Sequence, residues 1–244
     1  MLVLLFCIGF IANVIGTLAG GGGLISLPTM LLIGMPVHSA IGANKVSNTL
    51  STLSNFYSVF KRKEVTLIEV TPILLLCFIG GLIGGELASL FSGDELTFIA
   101  ILFLFFAFIL SFLGKTDFGE NLQLTIRKKT AALLVSVGMY DGLFGPGSGT
   151  LLLYIYANEK IAYMKAVVLG RIGIFATCFG AAIMYVSSGQ ILWVETLSLA
   201  AGSILGSQLG ILLARKISAQ QAKYLLRLIT AILIIQLAID YFVK

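Results

Sequence analysis

Gly16-Thr17-Leu18-Ala19-Gly20-Gly21-Gly22-Gly23 interrupts an apolar segment near the start of the chain, and Gly142-Leu143-Phe144-Gly145-Pro146-Gly147-Ser148-Gly149 interrupts another 126 positions later. Glycine costs about 1 kcal/mol per residue in a helix interior, and Pro146 lacks the amide hydrogen that a helix needs. Neither run should continue a regular helix, yet both are flanked by residues apolar enough for a bilayer. Unwound backbone at membrane depth survives only where it is buried in protein or lines a water-filled cavity. Matching breaks in two halves of a membrane chain point to a transporter's binding site. The pair therefore predicts a membrane transporter built by internal duplication.

Composition agrees with a membrane protein. Of the 244 residues 58% are hydrophobic and 11% charged, where a soluble domain carries roughly 25% charged residues. Apolar runs long enough to span, about 20 residues each, recur along the whole chain. The net charge of +5 is accordingly read as cytoplasmic loop charge and not as a nucleic-acid signal. Cys7, Cys77 and Cys178 fall within the spans and read as small apolar fillers, and His38 is the single histidine. No metal site, cofactor or catalytic cluster is expected from that inventory, and no Gly-Lys-Ser/Thr ending marks a nucleotide loop. The first twenty residues lack the basic start of a signal peptide, so they are expected to stay in the mature protein as part of the first repeat.

Shifting residues 16–110 by 126 overlays the second half without a gap. Gly16/Gly142, Gly21/Gly147, Gly23/Gly149, Glu69/Glu195, Gly80/Gly206 and Gly84/Gly210 coincide, and Lys45 falls on Arg171. Apolar coincidences are cheap in such a sequence, but paired glycines, glutamates and cations are not. Each half reads as four segments: 2–34, 38–60, 67–91 and 96–114, then 130–157, 164–186, 191–214 and 219–242. This gives repeats over 1–114 and 130–244, joined by a charged cytoplasmic linker over 115–129. Lys61-Arg62-Lys63 corresponds to uncharged Ser187-Ser188-Gly189, while Arg215-Lys216 corresponds to Ser89-Leu90. Positive loops mark the cytoplasmic side, so equivalent loops lie on opposite faces and the repeat is inverted. The expected fold is an all-α polytopic membrane protein. Each inverted repeat is a broken or re-entrant helical hairpin, or a pair of short spans, followed by three transmembrane helices. Both termini are expected to be extracytoplasmic.

The first break with its sequel, Gly16-Thr-Leu-Ala-Gly-Gly-Gly-Gly-Leu-Ile-Ser-Leu-Pro28 and then His38-Ser-Ala-Ile-Gly-Ala-Asn44, resembles the TauE/SafE sulfite exporter family. That family comprises permeases of the four-toluene-sulfonate-uptake type. The two-half layout and the length are similar over essentially the whole chain. The second copy departs from the pattern, with Gly145-Pro-Gly-Ser-Gly149 and with Tyr154 at the place of Pro28. The resemblance implies a non-enzymatic plasma-membrane permease that exports sulfite, sulfonates or related anions.

Candidate site residues follow from chemistry at depth. Bare amides at a helix break, beside the positive end of a half-helix, suit an anion. This nominates Gly20, Gly21, Gly22, Gly23, Gly147, Ser148, Gly149 and Thr150, although such runs also serve close packing. Lys45 and Arg171 lie seven or eight residues inside their spans, roughly 10 Å deep. They either face an anion pathway or snorkel to an interface. Asn44, Asn48, Ser51 and Asn55 share one helix face, which hydrates a pathway or bonds neighbouring helices. Asp141 either pairs with a cation or carries a proton. Glu69 and Glu195 open helices, where carboxylates suit the dipole. Glycines 80, 81, 84 and 85, echoed by 202, 206 and 210, permit close helix contact within one chain or between two copies in a homodimer. The expected partners are thus a small anion, membrane lipid and a second copy, with a passive anion channel, or a permease for another small organic anion, as the alternative reading.

Overall fold

A computed structural model of the protein describes residues 1–19, 22–61, 65–113 and 118–213, with isolated positions from Tyr224 to Ile239. The described residues are helical throughout, apart from turns, the connecting stretch 118–127 and one isolated bridge between Asn121 and Ile161. The first half contains α1 (Leu2–Ala19), α2 (Gly23–Leu32), α3 (Val37–Lys61), α4 (Leu67–Ser89) and α5 (Gly93–Leu113). The second contains α6 (Lys128–Leu143), α7 (Ser148–Asn158), α8 (Tyr163–Ser187) and α9 (Trp193–Leu213). Helical residues recur between Tyr224 and Ile239. This is the all-α polytopic architecture that composition predicts. Among the described residues α4, α8 and α9 are long and apolar enough to cross a membrane.

Both glycine runs end one helix and begin another. With 10 residues in α2 and 11 in α7, each is about 15 Å long, half of a hydrocarbon core of about 30 Å. Neither can cross a bilayer alone. Each packs instead on the helix before it, α2 on α1 and α7 on α6. A half-length helix that starts at mid-depth leaves its N-terminal amides inside the protein.

The halves interlock. Helix α9 packs on α1 and α3, and α4 packs on α6 and α8, while α3 and α8 meet at the centre. Under the 126-residue shift α1, α2, α3 and α4 fall on α6, α7, α8 and α9, so these contacts exchange with one another and the α3–α8 contact maps onto itself. Glycine makes the approach possible. A Cβ built on Gly81 would lie 2.2 Å from the carbonyl oxygen of Thr177, and one on Gly202 would lie 2.0 Å from that of Phe6. The glycine stripes are therefore spent within one chain, on contacts between its halves.

The stretch 118–126 is not a free linker. Asn121 bonds through its backbone to Lys160 and Ala162, and the Leu124 amide donates to Glu69. Glu69 also receives Lys165 Nζ at 2.6 Å. The carboxylate that opens α4 therefore ties α8 and the inter-repeat stretch together, beyond serving the helix dipole.

Candidate functional site

The second break is built around Asp141. Two turns force its backbone into the left-handed region, with φ of +106° at Gly145 and +85° at Gly147. Only glycine adopts such values without strain. Gly145 has a second reason to lack a side chain, since a Cβ there would fall 2.3 Å from Lys45 Nζ and 2.7 Å from Asp141 Oδ1. Tyr140 Oη donates to the Pro146 carbonyl at 2.6 Å and pins the turn. Helix α7 then starts at Ser148.

Asp141 is buried, and four donors from three helices converge on it. Lys45 Nζ of α3 donates to Oδ1 at 3.1 Å, and Ser148 Oγ donates to the same oxygen at 2.7 Å. Thr177 Oγ1 and Cys178 Sγ of α8 donate to Oδ2. The two charged side chains are 1% and 3% exposed, so the pair has little water to share. Of the two alternatives that the sequence leaves open for Asp141, the observed geometry is that of the ion pair.

The two breaks touch. A Cβ on Gly23 would lie 3.4 Å from Pro146 Cα. Beside this contact lies a cavity of about 90 Å³, lined by both breaks and by α1, α3, α6 and α8. One water takes about 30 Å³ in the liquid, so the space suits a few waters or one small anion. Five lining pairs are related by the 126-residue shift: Gly22 and Ser148, Gly23 and Gly149, Asn44 and Gly170, Asn48 and Ile174, Thr52 and Cys178. The lining positions repeat under the shift, but their chemistry does not. Helix α3 offers two amides and a hydroxyl where α8 offers glycine, isoleucine and a thiol.

Most of the residues nominated from sequence meet here. Gly22, Gly23, Asn44, Asn48, Gly147, Ser148, Gly149, Arg171 and Asp141 all line the cavity. Thr150 is buried one turn into α7, off the lining. Lys45 also stands behind the lining, covered by Gly145 and held by Asp141. Gly20, Gly21 and the Asn55 side chain lie outside the described residues. The polar stripe of α3 lines the cavity with some residues and bonds neighbouring helices with others. Asn44 and Asn48 line the cavity and bond each other at 2.7 Å, with Asn44 also donating to Ser26 Oγ. Ser51 reaches Asn13 of α1 at 3.2 Å, and Ser47 reaches Ser203 of α9 at the same distance.

Arg171 differs from Lys45. Arg171 is a half-buried residue of the cavity lining, and its Nη2 is buried with no hydrogen-bond partner among the described residues. A buried cation without a partner costs several kcal/mol. The reason for the difference is legible in the repeat: the position equivalent to Asp141 is Ile15, 6% exposed within the apolar core. Lys45 has its counter-ion built in. Arg171 has none.

Sequence reasoning missed Asn13, Thr17 and Tyr163, which also line the cavity. Asn13 had a signal, being the one amide in the otherwise apolar 18-residue run of α1. Such a residue at depth marks a contact or a pathway.

The sulfite exporter TauE/SafE family model matches residues 5–239. A probable membrane transporter protein, ORF9, of Sinorhizobium sp is 32% identical over 98% of this chain and 93% of its own length. One from Haemophilus influenzae is 35% identical over 86% of this chain and 84% of its own. The probable membrane transporter protein YfcA of Escherichia coli K12 is 26% identical, covering 86% and 79%. No solved structure matches.

Proposed function

The chain is a membrane transporter of the sulfite exporter TauE/SafE family, and from that premise we propose that it carries a small sulfur-containing oxyanion, sulfite or an organosulfonate, out of the cell. The anion occupies the cavity where the two broken helices meet. One observation carries this reading: Arg171, whose Nη2 is buried with no partner among the described residues, lines a cavity that the starts of two half-helices also line. A positive dipole end and an uncompensated guanidinium both call for negative charge. Gly20 and Gly21 belong by sequence to the same glycine run, and Thr150 stands near the start of α7, behind the lining.

The proposed setting is the plasma membrane, with repeats 1–114 and 130–244 in opposite orientation. Lys61, Arg62, Lys63, Lys160, Lys165, Arg215 and Lys216 then share the cytoplasmic face with the linker. Both termini lie outside. The exchange of helix contacts between halves supports a two-fold relation of this kind, and alternating access would rock one repeat against the other around the fixed cavity.

The test is flux. Purified protein in liposomes is loaded with sulfite, methanesulfonate or chloride under imposed pH gradients. The proposal expects saturable movement of the sulfur oxyanions that responds to the gradient. Gradient-independent, non-saturating flux would identify a passive anion channel, and indifference to every sulfur oxyanion would end the substrate assignment.

A further inference from the structure

The cavity holds an imbalance that the family resemblance does not explain. Two cations stand around it, fully buried Lys45 and half-buried Arg171, but only Arg171 lines it. Asp141 both lines the cavity and takes Lys45 Nζ at 3.1 Å. Among the described residues Asp141 and Arg171 are the only acidic or basic side chains of the lining. Had Asp141 been isoleucine, as at the equivalent Ile15, both cations would be uncompensated and would stand in pseudo-symmetric positions about the bound solute. That arrangement would suit two negative charges.

We infer that Asp141 sets the charge preference of the transported solute: by neutralising Lys45 it leaves one uncompensated cation, and the cavity selects a singly charged oxyanion over a doubly charged one of the same shape. This rests on the anion-binding reading of the cavity given above. Three features support it. The carboxylate is held by donors from α3, α7 and α8, so it cannot swing away to release Lys45 without breaking every one of them. Its own negative charge borders the space and repels a second charge on the solute. The single partner left for the solute, a guanidinium, offers a planar fork that matches two oxygens of one sulfonate or carboxylate group. The partial charge at the ends of α2 and α7 is unaffected by a change at position 141, so it drops out of a comparison between variants.

The experiment uses the full chain in detergent micelles and two tetrahedral probes of similar size. Methanesulfonate carries one charge, and methylphosphonate at alkaline pH carries two. Dissociation constants are measured for both probes, at the same pH, on the wild type, on Asp141→Asn and on the double variant Lys45→Met with Asp141→Asn. The wild type is expected to favour methanesulfonate by about tenfold or more, the scale of one close unscreened charge. Asp141→Asn frees Lys45 and is expected to move the ratio toward methylphosphonate by about tenfold. The double variant restores the charge count and with it the wild-type ratio, whatever its absolute affinity. An unchanged ratio in Asp141→Asn overturns the inference. If that variant does not fold, the double variant decides alone: a ratio displaced toward the dianion overturns it, and the wild-type ratio upholds it. Failure of the wild type to bind either probe would instead remove the anion site itself, and a wild-type preference for the dianion would leave the anion site standing and end this inference.

Discussion

Lys45 and Arg171, 126 positions apart in equivalent places of the two repeats, have opposite electrostatic fates: Lys45 Nζ sits 3.1 Å from Asp141 Oδ1, while Arg171 Nη2 is buried with no partner among the described residues. Two cations that the 126-residue shift places in register are made unequal by one acidic residue. The first consequence concerns the cation left over.

Arg171→Met should trade function for stability. The buried guanidinium costs the empty protein several kcal/mol, and methionine fills a similar apolar volume. The variant is expected to melt at a higher temperature than wild type when no anion is present. It should lose the rise in melting temperature that added methanesulfonate gives the wild type, because a ligand stabilises only the state that binds it. Arg171→Lys keeps the charge but not the fork, and a loss of about tenfold in affinity is expected. Thermal unfolding in detergent, with and without anion, reads both effects. A wild type that melts no lower than Arg171→Met in anion-free buffer would show that the guanidinium is already satisfied.

Lys45→Met should do the reverse. It strands the Asp141 carboxylate, with Ser148, Thr177 and Cys178 as its remaining donors. Removing one member of a buried pair costs about 3–5 kcal/mol. Adding Asp141→Leu to Lys45→Met removes the stranded charge, and most of the loss should return. The comparison of the two melting temperatures checks this. Equal destabilisation in single and double variants would mean that packing, not charge, holds α3 against α6.

Gly145 and Gly34 form a matched pair of left-handed glycines. Both have positive φ, +106° and +85°. A Cβ on Gly34 meets nothing within 4 Å, whereas one on Gly145 enters the space of Lys45 Nζ and Asp141 Oδ1. Gly34→Ala is expected to cost about 1 kcal/mol of backbone strain. Gly145→Ala should cost more than that, since the ion pair must open to admit the methyl group. Its anion affinity should fall too, while Gly34→Ala leaves it near wild type. Equal effects on melting temperature and binding would remove the steric half of this account.

Much of the fold could be read without coordinates, because a bilayer is a demanding solvent. Every backbone amide in it must be satisfied within its own segment, so apolar runs with no charges could only be helices, and runs of glycine with Pro146 could only end them. The starts of the two half-helices, at Gly23 and Ser148, follow from that rule. Under the 126-residue register the observed helix contacts exchange between the halves, and five pairs of cavity-lining residues correspond.

What the one-dimensional pattern determined was therefore where helices stop, how the halves correspond and which few polar groups lie at depth. Tertiary structure alone decided which of those groups meet. Asp141 could have paired with Lys45, with Arg171 or with a proton, and sequence spacing is silent because the two cations lie on different helices, 96 and 30 positions away. The choice was made by the approach of α3 to the turn at Gly145, which only a residue without a side chain permits. A contact ion pair needs its nitrogen and oxygen within about 4 Å, and distances on that scale are set by how helices pack rather than by the order of residues along them.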